Sequence, residues 1–147
     1  MAWIFALNAE CGGRETHARD LARHYDGWPS HVYRDGDGWW CGIAPEGISR
    51  SGVTSDAEAT AMTAAGRRLY WLLRTAPPVY RYALAGVETS SFRAHDELLA
   101  EKDLGVFPGL VVSEDIWAAA GKREEFSDFA PGYRWLPYRG ESYTPRG

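Results

Sequence analysis

A short turn of aspartate and glycine separates two apolar segments in the stretch HVYRDGDGWWCGI, residues 31–43. Aspartate and glycine tolerate the positive φ angles that tight hairpin loops require, so the pattern predicts a β-hairpin of strands 31–34 and 38–43. Two strands joined so closely must pair antiparallel, because a parallel pair needs a long crossover. The chain is therefore expected to contain antiparallel sheet.

Two adjacent tryptophans, Trp39 and Trp40, follow this turn. Side chains alternate along a strand, so the two rings must point to opposite faces of the sheet. One ring joins the core, and the other is either covered by helices on the second face or exposed. An exposed tryptophan on a rigid hairpin is a good anchor for a protein partner, and we take Trp39 as a candidate binding residue.

Helical periodicity is clearest over residues 56–74, where Ser55 and Glu58 form a capping-box pattern. The predicted buried stripe of this helix is Met62, Ala65, Leu69 and Leu72 or Leu73. Further strands are predicted over residues 2–8, 79–86, 108–112 and 133–138. Further helices are predicted after residue 15, over 93–104 with Gly105 at its end, after Ser113, and as a turn within 123–129.

Strands and helices are mixed without regular βαβ alternation, and a chain of 147 residues suits one domain. We therefore expect an α+β fold in which residues 1–147 form a single domain, with a central, mostly antiparallel sheet and helices packed against it. Residues 139–147 are expected to be a frayed tail.

The aspartates of the turn also raise the possibility of a calcium loop, since Asp35, Asp37 and Glu46 fit positions 1, 3 and 12 of the EF-hand pattern. However, Trp39 and Trp40 occupy positions 5 and 6, where a ligand and a glycine are required. The four histidines are scattered, and the chain's two cysteines have no CxxC spacing. The sequence thus predicts no metal site and no cofactor, and two free thiols in a reducing compartment.

Catalytic motifs are also missing, because the chain has no G-x-S-x-G, no P-loop and no G-x-G-x-x-G after a strand. Sites can still assemble from distant residues. An enzyme or ligand-binding domain therefore stays open as an alternative, with a pocket between the sheet and helix 56–74. Its candidate residues are Arg81, Tyr82, His95 and Glu97.

Negative charge is concentrated in one segment: residues 88–128 hold ten acids and four bases, although the whole chain has a formal charge of only −4. This balance argues against a general nucleic-acid binder. The acids form either a solvated helical surface or a surface for a basic partner. The candidates for such a surface are Glu97, Glu101, Asp103, Glu114, Asp115, Glu124, Glu125 and Asp128. On helix 56–74, Arg67 and Arg68 lie beside Tyr70 and Trp71 in the sequence. This pattern fits either a stacking surface for nucleic acid or, as we expect, a solvated basic face with Trp71 in the core.

Aromatic residues and arginines are concentrated in the C-terminal stretch FAPGYRWLPYRGESY, residues 129–143. Strand alternation places Tyr133 and Trp135 on one face, with Arg134 and Leu136 on the other. Tyrosine, tryptophan and arginine are the residue types enriched at interaction hot spots. The stretch is either a binding segment or a final strand that closes the core.

The segments GLVVSEDIW and GYRWLPYRGE resemble the bacterial immunity proteins of polymorphic toxin systems, with immunity family fifty-two as the nearest relation. The resemblance implies a cytoplasmic α+β protein that binds a cognate toxin, often a nuclease, and blocks it. The matching positions are Ser113, Glu114, Trp117, Tyr133, Trp135 and Tyr138. No binding role follows from the resemblance for any single residue, since such families diverge at their interfaces.

We therefore expect a non-enzymatic inhibitor of a toxin domain with a basic surface, and no nucleic-acid or membrane partner. The acids listed above, together with Trp39, Trp117, Tyr133, Trp135 and Tyr138, are the predicted partner-binding residues. Exposed aromatics would supply the desolvated centre of the interface. A subunit of a phage or secretion assembly remains a further alternative, which predicts self-association or a large apolar patch.

Overall fold

A computed structural model describes residues 5–45, 55–87 and 89–142 of the chain. In these residues, seven strands form one antiparallel sheet with the order β2-β3-β1-β4-β5-β7-β6. The strands are β1 (Phe5–Glu10), β2 (Ser30–Asp35), β3 (Gly38–Ile43), β4 (Tyr82–Val87), β5 (Val111–Ser113), β6 (Ser127–Ala130) and β7 (Tyr133–Trp135). The helices are α1 (Glu15–His24), α2 (Asp56–Leu73), α3 (His95–Ala100) and α4 (Glu114–Ala119), with a 3₁₀ turn at Leu104–Val106. The predicted α+β domain is confirmed.

Helices cover both faces of this sheet. On the first side, which we call the α1–α2 face, Leu7, Ile43 and Val111 pack with Leu21 of α1 and Leu69 of α2. On the second side, the α3–α4 face, a separate apolar cluster forms from Trp40, Tyr82, Leu84, Leu98, Leu104, Leu110, Val112, Ile116, Phe126 and Leu136.

The tryptophan pair follows the predicted alternation. Trp40 is fully buried on the α3–α4 face, and Trp39 is half-buried against the α1–α2 cluster. The two-residue turn between β2 and β3 has the expected positive φ at Gly36, +60°. Because helices lie over both faces, neither ring stands free on the hairpin.

Helix α2 begins where the sequence predicts, because the Ser55 side chain accepts a hydrogen bond from the backbone N–H of Glu58 at 3.1 Å. Its buried side chains include Met62, Ala65, Leu69 and Leu73, as predicted, and also Tyr70. The expectation that Trp71 lies in the core is wrong, since its side chain is 73% exposed. Each residue turns about 100° around a helix, so Trp71 points about 200° away from Leu69.

Tyr70 ties α2 to the sheet and to the loop before β5. Its hydroxyl accepts a hydrogen bond from the Ala85 N–H at 2.9 Å and donates one to the Gly109 carbonyl at 2.8 Å. Tyr80, which is equally buried, differs: its hydroxyl has no hydrogen-bond partner among the described residues. Buried polar groups are normally satisfied, so the Tyr80 hydroxyl is an energetic cost to the fold.

Two predicted helices differ from the structure. The helix expected over 93–104 is only His95–Ala100, because Glu101 has extended backbone angles and the Asp103 side chain accepts from the Gly105 N–H inside a 3₁₀ turn. The helical turn expected within 123–129 is absent, because Ser127–Ala130 instead pairs with β7 as an edge strand. Pairing with a distant segment outweighs local preference in so short a stretch.

The C-terminal segment is fixed to α2 as far as Glu141, so the predicted frayed tail does not begin at 139. Thr63 Oγ1 accepts a hydrogen bond from the Glu141 N–H at 2.8 Å, and the Tyr138 hydroxyl donates to the Glu141 carboxylate at 2.8 Å. Residues 143–147 lie outside the described part of the chain, as do Glu46 of the rejected calcium pattern and residues 2–4 of the predicted first strand.

Candidate functional site

The acidic residues singled out from the sequence lie on the α3–α4 side of the sheet and at its β6 edge. Seven are exposed: Glu97, Asp103, Glu114, Asp115, Glu124, Glu125 and Asp128. Glu101 is half-buried. We call these eight residues the acidic surface.

Local folding accounts for the placement of several of these acids. Glu114 and Asp115 occupy the first turn of α4, where the helix dipole favours negative charge, and Ser113 caps that helix by accepting from the Ile116 N–H at 3.3 Å. At the start of α3, Glu97 accepts from the Ala94 N–H at 2.8 Å. These helix-start interactions leave the outer carboxylate oxygens available to solvent.

Tertiary contacts join α3 and α4 into one surface. The Arg123 side chain, in the loop after α4, donates to the Lys102 carbonyl at 3.0 Å. The Trp117 indole N–H donates to the Arg123 carbonyl at 3.0 Å, and the Arg134 guanidinium lies 3.9 Å from the centre of the Trp117 ring. These contacts fix the two acidic segments side by side.

The arginines of this side are already engaged by carboxylates. Arg93 pairs with Glu101 at 3.3 Å, Arg123 with Glu125 at 2.7 Å and Arg134 with Asp128 at 3.4 Å. The Glu125 pKa is lowered, first by its own backbone N–H and then by the Arg123 side chain. Within the described residues, no ion pair forms to Asp96, Glu114, Asp115 or Glu124. The surface therefore carries carboxylates in excess of the cations that could neutralise them.

The aromatic residues predicted to bind a partner do not gather on this surface. Only Trp117, half-buried, lies there. Trp39, Trp135 and Tyr138 are half-buried on the α1–α2 face. Tyr133, another predicted partner-binding residue, does not lie at a surface: it is 6% exposed, stacks on Tyr80 with ring centres 4.2 Å apart, and donates its hydroxyl to the Tyr80 carbonyl. The strand-closing interpretation of the C-terminal stretch holds for this residue.

A cleft of about 450 Å³ lies beside the acidic surface, between the β2–β3 turn and the start of α3. Its charged lining residues are Glu10, Asp35, Asp37, Arg81, His95 and Asp96. Two of the residues proposed for a ligand site, Arg81 and His95, line this cleft, and the buried Tyr82 lies next to it, with its ring centre 6.3 Å from that of His95. These residues lie on the α3–α4 face, however. The predicted location of their site, between the sheet and α2, is therefore wrong. The fourth candidate, Glu97, does not line the cleft.

The floor of the cleft is a buried ion pair that sequence reasoning missed. The Glu10 side chain is 2% exposed, and its carboxylate accepts from Arg81 Nε at 2.8 Å, from a terminal nitrogen of Arg81, and from the Gly12 N–H at 2.7 Å. Gly38 gives the carboxylate room, since a Cβ there would lie 2.8 Å from Glu10 Oε2. The pair raises the pKa of Arg81, chiefly through its hydrogen bond to Glu10.

The signal for this pair was present in β1, where Asn8 and Glu10 alternate with Leu7 and Ala9 in a buried strand. Alternation places the two polar side chains on one face, where each needs a partner. Asn8 finds one in Thr89, with Nδ2 donating to Oγ1 at 2.9 Å.

His95 also lines the cleft and takes no part in the ion pair. Burial lowers its pKa, and the nearby Arg81 lowers it further. Its ring stacks at 6.3 Å on Tyr82, whose hydroxyl donates to the Arg93 carbonyl. A neutral imidazole beside a fixed ion pair can accept a proton. No cluster of histidine, cysteine, aspartate or glutamate in the described ranges could hold a metal ion.

Comparison of the chain with protein-family models, with curated proteins and with solved structures finds no match. Among the described helices, none combines the length and the apolar character needed to cross a bilayer.

Proposed function

We propose that this protein is an immunity protein, which binds a cognate bacterial toxin domain through the acidic surface and so neutralises it in the cytoplasm. The observation that supports the proposal is the excess of exposed carboxylates on α3, α4 and the adjoining loops, where the available arginines are already paired. A toxin that cleaves nucleic acid needs a basic channel for its substrate. A fixed acidic surface complements such a channel in charge.

The protein would inhibit the toxin by occupying its substrate channel and not by carrying out a chemical reaction. The acidic surface attracts the basic toxin at long range and speeds the encounter. Once bound, its carboxylates take the positions that substrate phosphates would occupy. Trp117 is half-buried on the same side of the sheet as these acids and is the candidate for the desolvated part of the interface. This mode of action requires no cofactor, metal, nucleic acid or membrane.

The test is complex formation with the toxin domain encoded beside this chain, measured by size-exclusion chromatography and isothermal titration calorimetry. We expect a 1:1 complex and loss of toxin activity in it. A variant that combines Glu114→Gln, Asp115→Asn and Glu124→Gln should bind at least about tenfold more weakly, because exposed charges tune association without holding the fold together.

The matched control removes the same formal charge from the opposite layer, with Glu15→Gln, Asp20→Asn and Asp26→Asn on and after α1. It should bind like the natural chain. Failure of the natural chain to bind the toxin domain, or equal weakening by both triple variants, would contradict the proposal.

A further inference from the structure

A second cleft, of about 240 Å³, lies on the other side of the sheet, between α2 and the chain at and after β7. Six side chains line it: Arg67, Tyr70, Trp71, Arg74, Trp135 and Tyr138. We call it the arginine–aromatic cleft. Four of the six are aromatic, two are arginines, and none is acidic. The position corresponds to the pocket between the sheet and helix 56–74 that the sequence left open, although the lining residues are different.

The inner wall of the cleft is held rigidly. Tyr70, whose hydroxyl is tied to β4 and to Gly109, has its ring centre 5.3 Å from that of Trp135 and 5.0 Å from that of Tyr138. The Arg74 guanidinium lies 4.5 Å from the centre of Phe129 and 4.9 Å from that of Trp135. It also donates to the Phe129 carbonyl at 2.5 Å. The positive charge of Arg74 is thus fixed at the cleft before any ligand arrives.

The outer wall is formed by two exposed residues one helical turn apart. Trp71 has the most exposed large apolar side chain among the described residues, and its ring stacks on no other aromatic ring there. Arg67 is exposed, and neither it nor Arg74 forms an ion pair within the described chain. An unpaired guanidinium beside an indole ring suits a ligand that carries both a ring and a negative charge.

We propose that the arginine–aromatic cleft binds a small planar aromatic anion, meaning one ring system that bears a carboxylate or a phosphate. The ring stacks against Trp71 and the rings of the inner wall. The anion lies between Arg67 and Arg74 and accepts charge-assisted hydrogen bonds from both. Clefts for drug-sized ligands run from about 300 to 1,000 Å³, so the smaller volume here limits the ligand to a single ring system.

This inference does not rest on the proposed function. The cleft is on the α1–α2 face, whereas the acidic surface is on the α3–α4 side and has the opposite charge. Failure of either proposal leaves the other standing, because toxin binding and ring binding are measured separately.

The experiment is calorimetric titration of the full chain with four probes. Indole-3-acetate supplies a ring with a carboxylate, and phenyl phosphate a ring with a phosphate. Tryptamine carries the same indole ring with a positive charge, and acetate is an anion without a ring. We expect at least one of the first two to bind with a millimolar or lower dissociation constant, and the two controls not to bind. Which of the two binds more tightly distinguishes a carboxylate ligand from a phosphate ligand.

Two variants locate the binding. Trp71→Ala and Arg67→Gln alter exposed side chains and should leave the circular dichroism spectrum unchanged, while each weakens binding about tenfold or more. Arg23→Gln, which changes another exposed arginine, on α1, is the matched control and should bind like the natural chain. The proposal is overturned if neither ring anion binds, if tryptamine binds as well as they do, or if the two cleft variants bind normally.

Discussion

Replacing Arg81 with methionine should destabilise the protein by about 3 kcal/mol, because the Glu10 carboxylate would stay buried without its cation. Glu10 is 2% exposed at its side chain, and Arg81 supplies two of the three hydrogen bonds that it accepts. Removing one partner of a buried pair costs about 3–5 kcal/mol. Arg81 is itself 39% exposed, so solvent screens the pair from one side and the lower end of that range applies.

Urea denaturation followed by tryptophan fluorescence measures this effect. With a slope of about 2 kcal/mol per molar urea, the midpoint should fall by about 1.5 M. Arg19→Met, which breaks an exposed ion pair to Glu15, is the matched control and should change stability by less than about 1 kcal/mol.

A double variant isolates the charge on Glu10. Glu10→Gln together with Arg81→Met removes the orphaned charge but keeps an oxygen for the Gly12 N–H, so it should recover about 1 kcal/mol or more relative to Arg81→Met alone. The reasoning would be refuted if Arg81→Met cost no more than the Arg19 control, or if the double variant were as unstable as the single one.

Four further predictions concern the α1–α2 side of the sheet. Tyr70→Phe should lower the free energy of unfolding by about 1–3 kcal/mol, because the buried Ala85 N–H and Gly109 carbonyl would lose their hydrogen-bond partner. Tyr80→Phe should be neutral or stabilising, because it removes a hydroxyl that has no partner among the described residues. Equal losses of stability in urea melts would refute this prediction. Burial raises the pKa of Cys41 to about 12 and also raises that of Cys11, so neither thiol should react with Ellman's reagent at pH 8 until the chain is unfolded. For the same reason stability should fall as the pH rises above about 8.5, since only the unfolded chain then releases the thiol protons. Gly66→Ala should destabilise α2 in thermal melts despite the better helix propensity of alanine, because the added Cβ would lie 2.6 Å from a tyrosine hydroxyl.

Sequence predictions succeeded where local signals determine the structure, and they failed where pairing between distant segments determines it. The hairpin, α1 and α2 depend on local turn chemistry and periodicity, and they lie where these signals placed them. β6 exists because Ser127–Ala130 pairs with β7, and no local pattern specifies that pairing. The exposure of Trp71 could have been found, since Leu69 and Leu73 fix the buried side of α2 and Trp71 lies midway between them in sequence.

The candidate sites were less accessible to sequence reasoning than the fold. The charge imbalance correctly located the exposed acids, because charged side chains rarely become buried. In contrast, the Glu10–Arg81 pair joins residues 71 positions apart, and a single sequence cannot identify such partners. The arginine–aromatic cleft likewise needs α2 and the end of β7 to meet, which only the folded chain brings about.

The rate of association between this protein and the toxin domain that we propose it binds, measured by stopped-flow fluorescence at low and high ionic strength, tests the acidic interface most directly. The proposal predicts that the rate constant falls about tenfold or more between about 0.02 and 0.5 M salt, and that the Glu114, Asp115 and Glu124 triple variant loses most of this dependence. An association rate that does not respond to salt, or one whose salt dependence survives in the triple variant, would contradict it.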